Sequence, residues 1–312
     1  MSAADLTHAA NLFAGTIAAA GLTPPAEIVA DGEIHRFSAN GRRGDDAGWY
    51  VLHLDAVPAG AFGNWRDGYS QCWSARNERT MTAIERKALA WRIEAMRRQR
   101  DAEQRHRQHD AAAAAINRWN AAAPATVATN HPYLRAKGVK PRGVRIEANH
   151  TLLIPMRDTE GRMHSLQSIA PDGAKRFMPG GRVRGCYHAI CEPSGGARDC
   201  PGDKLVICEG YATGATIHET TGHAVAVAFN AGNLLAVAQA LRIKYPSIAL
   251  VLAADDDWKT PGNPGLTAAT KAARAVGGLL AVPKFDGLPR DDKATDFNDL
   301  HRLTKPMEGR AR

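Results

Sequence analysis

Two groups of carboxylates in this chain each follow a short, branched, apolar run. Lys204-Leu205-Val206-Ile207-Cys208 ends in Glu209, and Ser247-Ile248-Ala249-Leu250-Val251-Leu252-Ala253-Ala254 ends in Asp255-Asp256-Asp257. Such runs read as buried parallel strands whose carboxyl ends open into a site. Three adjacent carboxylates repel one another unless a cation lies among them, most simply Mg²⁺, which prefers oxygen ligands. Side chains alternate along a strand, so Asp255 and Asp257 are expected on one side and Asp256 on the other. In open α/β sheets ligands gather beyond the strand ends, where Glu209 and the Asp255/Asp257 pair would share one crevice. Acids placed in this way suit metal-dependent phosphoryl or nucleotidyl transfer. A single acidic cluster is more often a helix cap, but two clusters at equivalent strand ends favour function.

The elements around these acids follow the same pattern. An Ala/Thr-rich helix is expected from Tyr211 to about Thr220, then a strand and small-residue turn over Ala224 to Asn233. After the Asp cluster, Asn263-Pro264-Gly265-Leu266 leads into a helix to Val276, a strand at Leu279 to Val282 and Lys293-Ala294-Thr295-Asp296-Phe297-Asn298-Asp299-Leu300. Upstream, Leu152 to Met163 reads as a β-hairpin turning at Asp158 to Gly161.

The front of the chain has another texture. A helix is expected over Ala3 to Ala20, followed by short aromatic runs at Glu33–Phe37, Gly48–Leu54, Ala61–Trp65 and Ser70–Trp73 that predict a small antiparallel sheet. Trp49, Trp65 and Trp73 lie beside Arg36, Arg42, Arg43 and Arg66. That mixture could stack bases, but a small β-unit poor in aliphatics needs tryptophan to fill its core, and the core role is preferred. Residues from about Arg76 to Ala122 lack glycine and proline and are dense in charge, which predicts a helix with the default role of a solvated spacer.

Together these elements resemble the TOPRIM domain shared by bacterial-type primases, type IA and II topoisomerases and some nucleases. The resemblance rests on Glu209-Gly210-Tyr211, Asp255-x-Asp257 and the Asp296-Phe297-Asn298-Asp299 ending. The upstream stretches His131-Pro132-Tyr133-Leu134-Arg135, Leu152 to Met163 and Gly173 to Gly185 are similar to the primase core that precedes such domains. Departures are Thr213, where many members carry an Asp, Thr151 in place of a core arginine, and a longer turn from Trp258 to Pro264.

The resemblance implies an α/β fold: a Rossmann-like parallel TOPRIM sheet flanked by helices, preceded by a primase-core α+β subdomain and a small β-rich unit with a long helical connector. The expected domains are 1–75, 76–123, 124–202 and 203–305, with a basic tail at 306–312. It further implies a metal-dependent DNA primase of the plasmid, phage or integrated mobile-element type, making short RNA primers on a single-stranded DNA template from ribonucleoside triphosphates. Glu209, Asp255 and Asp257 would be catalytic; with Asp296 they would hold Mg²⁺ or Mn²⁺. Arg135, Lys137, Arg157, Lys175, Arg176, Arg182 and Arg184 would contact nucleic acid or nucleotide. Two alternatives stay open: a TOPRIM nuclease, and a non-catalytic single-stranded-DNA-binding replication accessory.

Bulk properties agree with that class. The chain has 312 residues, and 40 Lys and Arg against 32 Asp and Glu give a net charge of +8, fitting an anionic partner. Its five cysteines, Cys72, Cys186, Cys191, Cys200 and Cys208, form no C-x-x-C pair, and their odd number predicts no disulfide framework and a reducing cytoplasm. Zinc held by Cys186, His188, Cys191 and Cys200 is not expected, because the spacing matches no common ribbon. No apolar run has the length of a membrane span, and the first residues carry Asp5 without a basic leader, so neither membrane nor secretion is expected. With no G-x-x-x-x-G-K-[ST] loop, unwinding is assigned to a separate replicative helicase.

Overall fold

The computed structural model describes residues 3–55, 57–66, 68–76, 78–126, 130–193, 199–200 and 203–304. The chain divides into two compact units, Met1–His106 and Arg107–Arg312.

In the first unit, helix α1 (Ala3–Ala19) precedes a four-stranded antiparallel sheet in sequential order: β1 (His35–Phe37), β2 (Gly48–His53), β3 (Ala59–Asn64) and β4 (Tyr69–Ser74). Phe13 and Ile17, one turn apart on α1, pack with Phe37, Tyr50, Leu52 and Phe62. Trp49 is buried with Val51, Ala61 and Met96, and Trp65 and Trp73 pack partly buried against the core clusters. These tryptophans therefore fill a core, as the preferred reading has it.

A 3₁₀ turn (Glu78–Thr80) leads to helix α2 (Ala83–Ala121). Its start is a capping box: Glu85 N–H donates to Thr82 Oγ1 at 3.2 Å, and Thr82 N–H donates to the Glu85 carboxylate at 2.8 Å. The spacer expectation is corrected here. Leu89 and Met96 are buried in the first unit, while Ala111, Ala115 and Ala122 are buried in the second. Leu89, Ile93 and Met96 recur at helical spacing, and so thin a stripe is easily masked by dense charge.

The second unit opens with a five-stranded antiparallel sheet of β5 (Ala123–Pro124), β6 (Arg145–Ile146), β7 (Leu152–Arg157), β8 (Met163–Ile169) and β9 (Lys175–Phe177), with helix α3 (Pro132–Lys137) between β5 and β6. The end of α2 packs Ala115, Trp119 and Ala122 against Leu153, Met163 and Leu166. Arg118 clamps Glu147 through two 2.7 Å bonds. At the β7–β8 turn, burial alone would raise the Asp158 carboxyl, but donors from His164 at 2.7 Å and Arg162 at 2.9 Å hold its pKa at about 2. Asp158 is thereby occupied in holding the hairpin.

The remaining elements are β10 (His188–Pro193), β11 (Asp199–Cys200), β12 (Lys204–Cys208), α4 (Tyr211–Thr221), β13 (Ala224–Val227), α5 (Ala231–Lys244), β14 (Ala249–Ala253), α6 (Pro264–Val276), β15 (Leu279–Ala281) and α7 (Phe297–Thr304). They build a six-stranded sheet in the order β11-β10-β13-β12-β14-β15, with β13, β12, β14 and β15 parallel and β10 antiparallel to β13. Alternation sorts the side chains. Val206, Cys208, Val225 and Val227 join α4 residues Tyr211, Ala212 and Ala215 in one cluster. Leu205, Ile207, Leu250 and Leu252 join α5 and α6 residues in another. The chain leaves β12 for β13 on one side and then crosses to β14 on the other, so the strand order reverses beside β12, where ligands bind in sheets of this kind.

Cys72, Cys186 and Cys208 are free thiols, whereas Cys191 is disulfide-bonded, which corrects the expectation of no disulfide. β11 pairs beside β10, with Pro193 opposite Cys200. Among the described residues no helix is long and apolar enough to cross a membrane. The basic tail expected at 306–312 lies outside the described residues.

Candidate active site

Glu209 follows the last residue of β12, and Asp255 stands two residues beyond the end of β14. These strands are neighbours in register, with Ile207 opposite Leu252, so their carboxyl ends deliver the two acids to the same crevice. Both are half-buried, and Glu209 Oε1 and Asp255 Oδ1 are buried oxygens without a hydrogen-bond donor. Burial first, and then the charge of Asp257, pushes the Glu209 pKa up to about 7, although the Ala231 N–H at the start of α5 opposes the shift. Asp255 is raised to about 8, by burial and then by Glu209, Asp296 and Asp257. Orphaned carboxylate oxygens whose pKa is raised by burial and neighbouring acids are poorly satisfied without a cation.

The other acids are held by local bonds. Asp257 Oδ2 accepts the Gly265 N–H at 3.0 Å, and Asp257 N–H donates to Asn263 Oδ1 at 2.9 Å. Asp256 is turned to separate partners: Asn263 Nδ2 at 2.7 Å and Arg290 Nη1 at 2.8 Å, with Arg290 Nη2 on its carbonyl at 2.8 Å. Asp296 caps α7 by accepting the Asp299 N–H at 2.8 Å and takes the Thr213 hydroxyl on its other oxygen at 2.7 Å. Asp299 accepts the Thr295 N–H at 3.2 Å and lies 3.5 Å from Lys137 Nζ. Among the described residues, no three His, Cys, Asp or Glu side chains form a group that could hold a metal ion. The four acids expected as ligands thus make no closed cage as placed, because Asp257 and Asp296 are engaged with backbone and hydroxyl donors.

The donor set nevertheless fits one kind of ion. All donors are oxygen, and Mg²⁺ usually keeps several waters and is held by one or two carboxylates plus substrate phosphates. Glu209 and Asp255, with their unpartnered oxygens, would supply two such carboxylates, and Asp257 and Asp296 would add negative field from outside.

Gly265 shows how closely this turn is packed. A Cβ built there would lie 2.7 Å from the Asp255 carbonyl oxygen and 2.9 Å from Asp257 Oδ2. Gly265→Ala is therefore expected to cost about 1–3 kcal/mol, the usual range for overpacking. A lowered thermal midpoint checks this; an unchanged one would mean that the aspartate turn shifts freely.

The basic residues expected at the site separate into groups. Lys137 and Lys175 line a cavity of ≈ 480 Å³ with Tyr133, Asp172 and Arg302. The Lys175 ammonium lies 5.6 Å from the Tyr133 ring centroid, where desolvation and then Lys137 lower its pKa. Arg135, Arg176 and Arg184 are exposed, Arg182 donates to the Arg184 carbonyl at 3.2 Å, and Arg157 bonds its own turn at Gly161. Buried Asn233 tethers the segment that carries Arg182 and Arg184, accepting the Gly185 N–H at 2.8 Å and donating to the Cys186 carbonyl at 2.9 Å.

Thr213, Arg290, Asn263, Asn233 and Arg302 were not singled out as site residues from sequence. Of these, only Thr213 carried a signal there, as a departure from the family pattern, and it proves to hold Asp296.

Comparison with known proteins identifies the part of the chain that holds these acids. Residues 204–306 match the Toprim domain family. Over that span the chain carries a Toprim domain. Two Escherichia coli proteins called DNA primase TraC are similar to it: one is 39% identical over 275 residues, covering 85% of this chain and 25% of the relative. The other is 37% identical over 302 residues, covering 92% and 20%. The chain therefore spans about a quarter or less of these curated relatives. A structure described as the DnaG primase catalytic domain bound to single-stranded DNA aligns with a TM-score of 0.40 and 13% identity, over 66% of this chain and 79% of that one. The Toprim domain begins at β12, so Glu209, Asp255, Asp257 and Asp296 all fall inside it.

Proposed function

We propose that this chain is a metal-dependent DNA primase that joins ribonucleotides on a single-stranded DNA template, serving a plasmid, phage or integrated element. The observation that carries the reading is the pair of unpartnered carboxylate oxygens on Glu209 and Asp255 within a Toprim domain. The 37–39% identity to proteins named as DNA primases supports it from a different direction.

In this reading Glu209 and Asp255 hold Mg²⁺ or Mn²⁺, which neutralises the triphosphate and favours departure of pyrophosphate. Asp257 and Asp296 act as supporting acids. Lys137 and Lys175, joined by Arg302, meet phosphates in the cation-lined cavity. Arg135, Arg157, Arg176, Arg182 and Arg184 track a template backbone in a sequence-tolerant, salt-sensitive way. A separate helicase supplies the single strand, and the protein works in the cytoplasm.

The test is incubation of the protein with single-stranded template, labelled ribonucleotides and Mg²⁺. Template-dependent oligoribonucleotides are expected. Cleavage of the template without synthesis would reassign the site to a nuclease, and neither product would leave an accessory binding role.

A further inference from the structure

We infer that Trp258 is a stacking platform for a nucleobase on the turn that follows Asp257, an inference that rests on the proposed polynucleotide chemistry of the neighbouring acids. Trp258 is the residue after Asp257, and its side chain is among the exposed large hydrophobics, at 44%. Its backbone is fixed: Trp258 N–H donates to the Asp256 carbonyl at 2.8 Å, and the turn continues with Thr260 N–H on Asp257 at 2.7 Å and Asn263 N–H on Thr260 at 2.9 Å. An exposed indole on a rigid turn is ordered before any ligand arrives, which lowers the entropy cost of binding.

Two cations touch the ring and differ in how firmly they are held. The Arg290 guanidinium lies 5.0 Å from the ring centroid and is locked by Asp256 and by the Ala294 carbonyl at 2.8 Å. It also packs 4.1 Å from the Phe285 ring centroid. The Lys259 ammonium lies 4.3 Å from the indole centroid and pairs at 3.2 Å with Asp292, and those side chains are 53% and 76% exposed. Exposed pairs of that kind contribute little. A base can therefore replace the Lys259 ammonium over the indole while Arg290 remains as support, and the displaced lysine is left beside the phosphates that a base brings with it. Base–aromatic stacking tolerates any sequence, as template copying requires.

The base could belong to the template strand or to the incoming nucleotide, and binding measurements separate these. Wild-type protein, Trp258→Leu and Trp258→Phe are titrated, in Mg²⁺, with labelled oligothymidylate and with an abasic oligomer of equal length, then with ATP and with inorganic tripolyphosphate. Leu keeps apolar cover over Arg290 without a π-face, and Phe restores the face. Stacking predicts that Trp258→Leu weakens the base-bearing ligand of one pair about five- to a hundredfold, leaves its base-free counterpart within about twofold, and is largely rescued by Phe. The pair affected names the source of the base. Equal loss with base-free ligands, no loss with either pair, no rescue by Phe, or failure of Trp258→Leu to fold while Phe folds without binding differently from wild type would assign Trp258 a purely structural part and overturn the inference. None of these readouts depends on primer synthesis, so a negative synthesis assay and a negative stacking result remain distinguishable.

Discussion

Asp255→Asn is expected to lower ribonucleotide incorporation by at least about a hundredfold and, in the same protein, to raise the melting temperature measured without metal. Loss of activity follows because a metal ligand stabilises several kcal/mol of developing charge, and each ~1.4 kcal/mol is a factor of ten in rate. The gain in stability follows because Asp255 is held beside Glu209, Asp296 and Asp257 with an oxygen that no donor satisfies. Amide for carboxylate relieves that repulsion; at pH 8 a gain on the order of 1–2 kcal/mol corresponds to roughly 2–8 °C for a unit of this size. Primer synthesis and differential scanning calorimetry, run on one preparation, check both. An inactive variant that also melts lower would point to a folding role, and an active one would remove Asp255 from the site.

The second large effect is a dependence on pH that divalent metal reverses. Glu209 and Asp255 have folded-state pKa values near 7 and 8, above the ordinary carboxylate range. Between pH ~4 and ~8 the folded protein therefore holds protons that the unfolded chain has released, so the stability of the metal-free protein falls as pH rises through that window. Metal binding must displace those same protons, so affinity for Mg²⁺ or Mn²⁺ rises with pH and levels off above about 8. Melting curves from pH 5 to 9 should show a falling midpoint without metal and a metal-induced increase that grows with pH. A midpoint that is flat in pH, or a metal effect equal at pH 5 and 8, would mean that the two carboxylates do not share a cation.

Some of this was legible in the sequence because burial leaves a periodic trace. The runs before Glu209 and Asp255 are apolar on both parities, as a strand covered by α4 on one face and by α5 and α6 on the other must be. The separate surroundings of Asp256, bound to Arg290 and Asn263, follow the alternation expected beyond β14. What stayed hidden depends on partners distant in sequence. Nothing near Thr213 announces that its hydroxyl meets Asp296, and nothing near Arg290 announces that it will hold Asp256. The buried stripe of α2 was masked by the charge around it, and the disulfide at Cys191 is not announced by the cysteine count.

The last described helix has a bearing on how the protein matures on the ribosome. Asn298 on α7 is fully buried, donating at 2.8 Å both to the Lys137 carbonyl and to the Thr216 hydroxyl, while Asp296 beside it meets Thr213. Until that stretch leaves the exit tunnel, α3 and α4 lack their shared fastening and Asp255 lacks one of the charges that set its proton affinity. A nascent chain can thus complete its parallel sheet before the stretch that fastens α3 to α4 has left the ribosome.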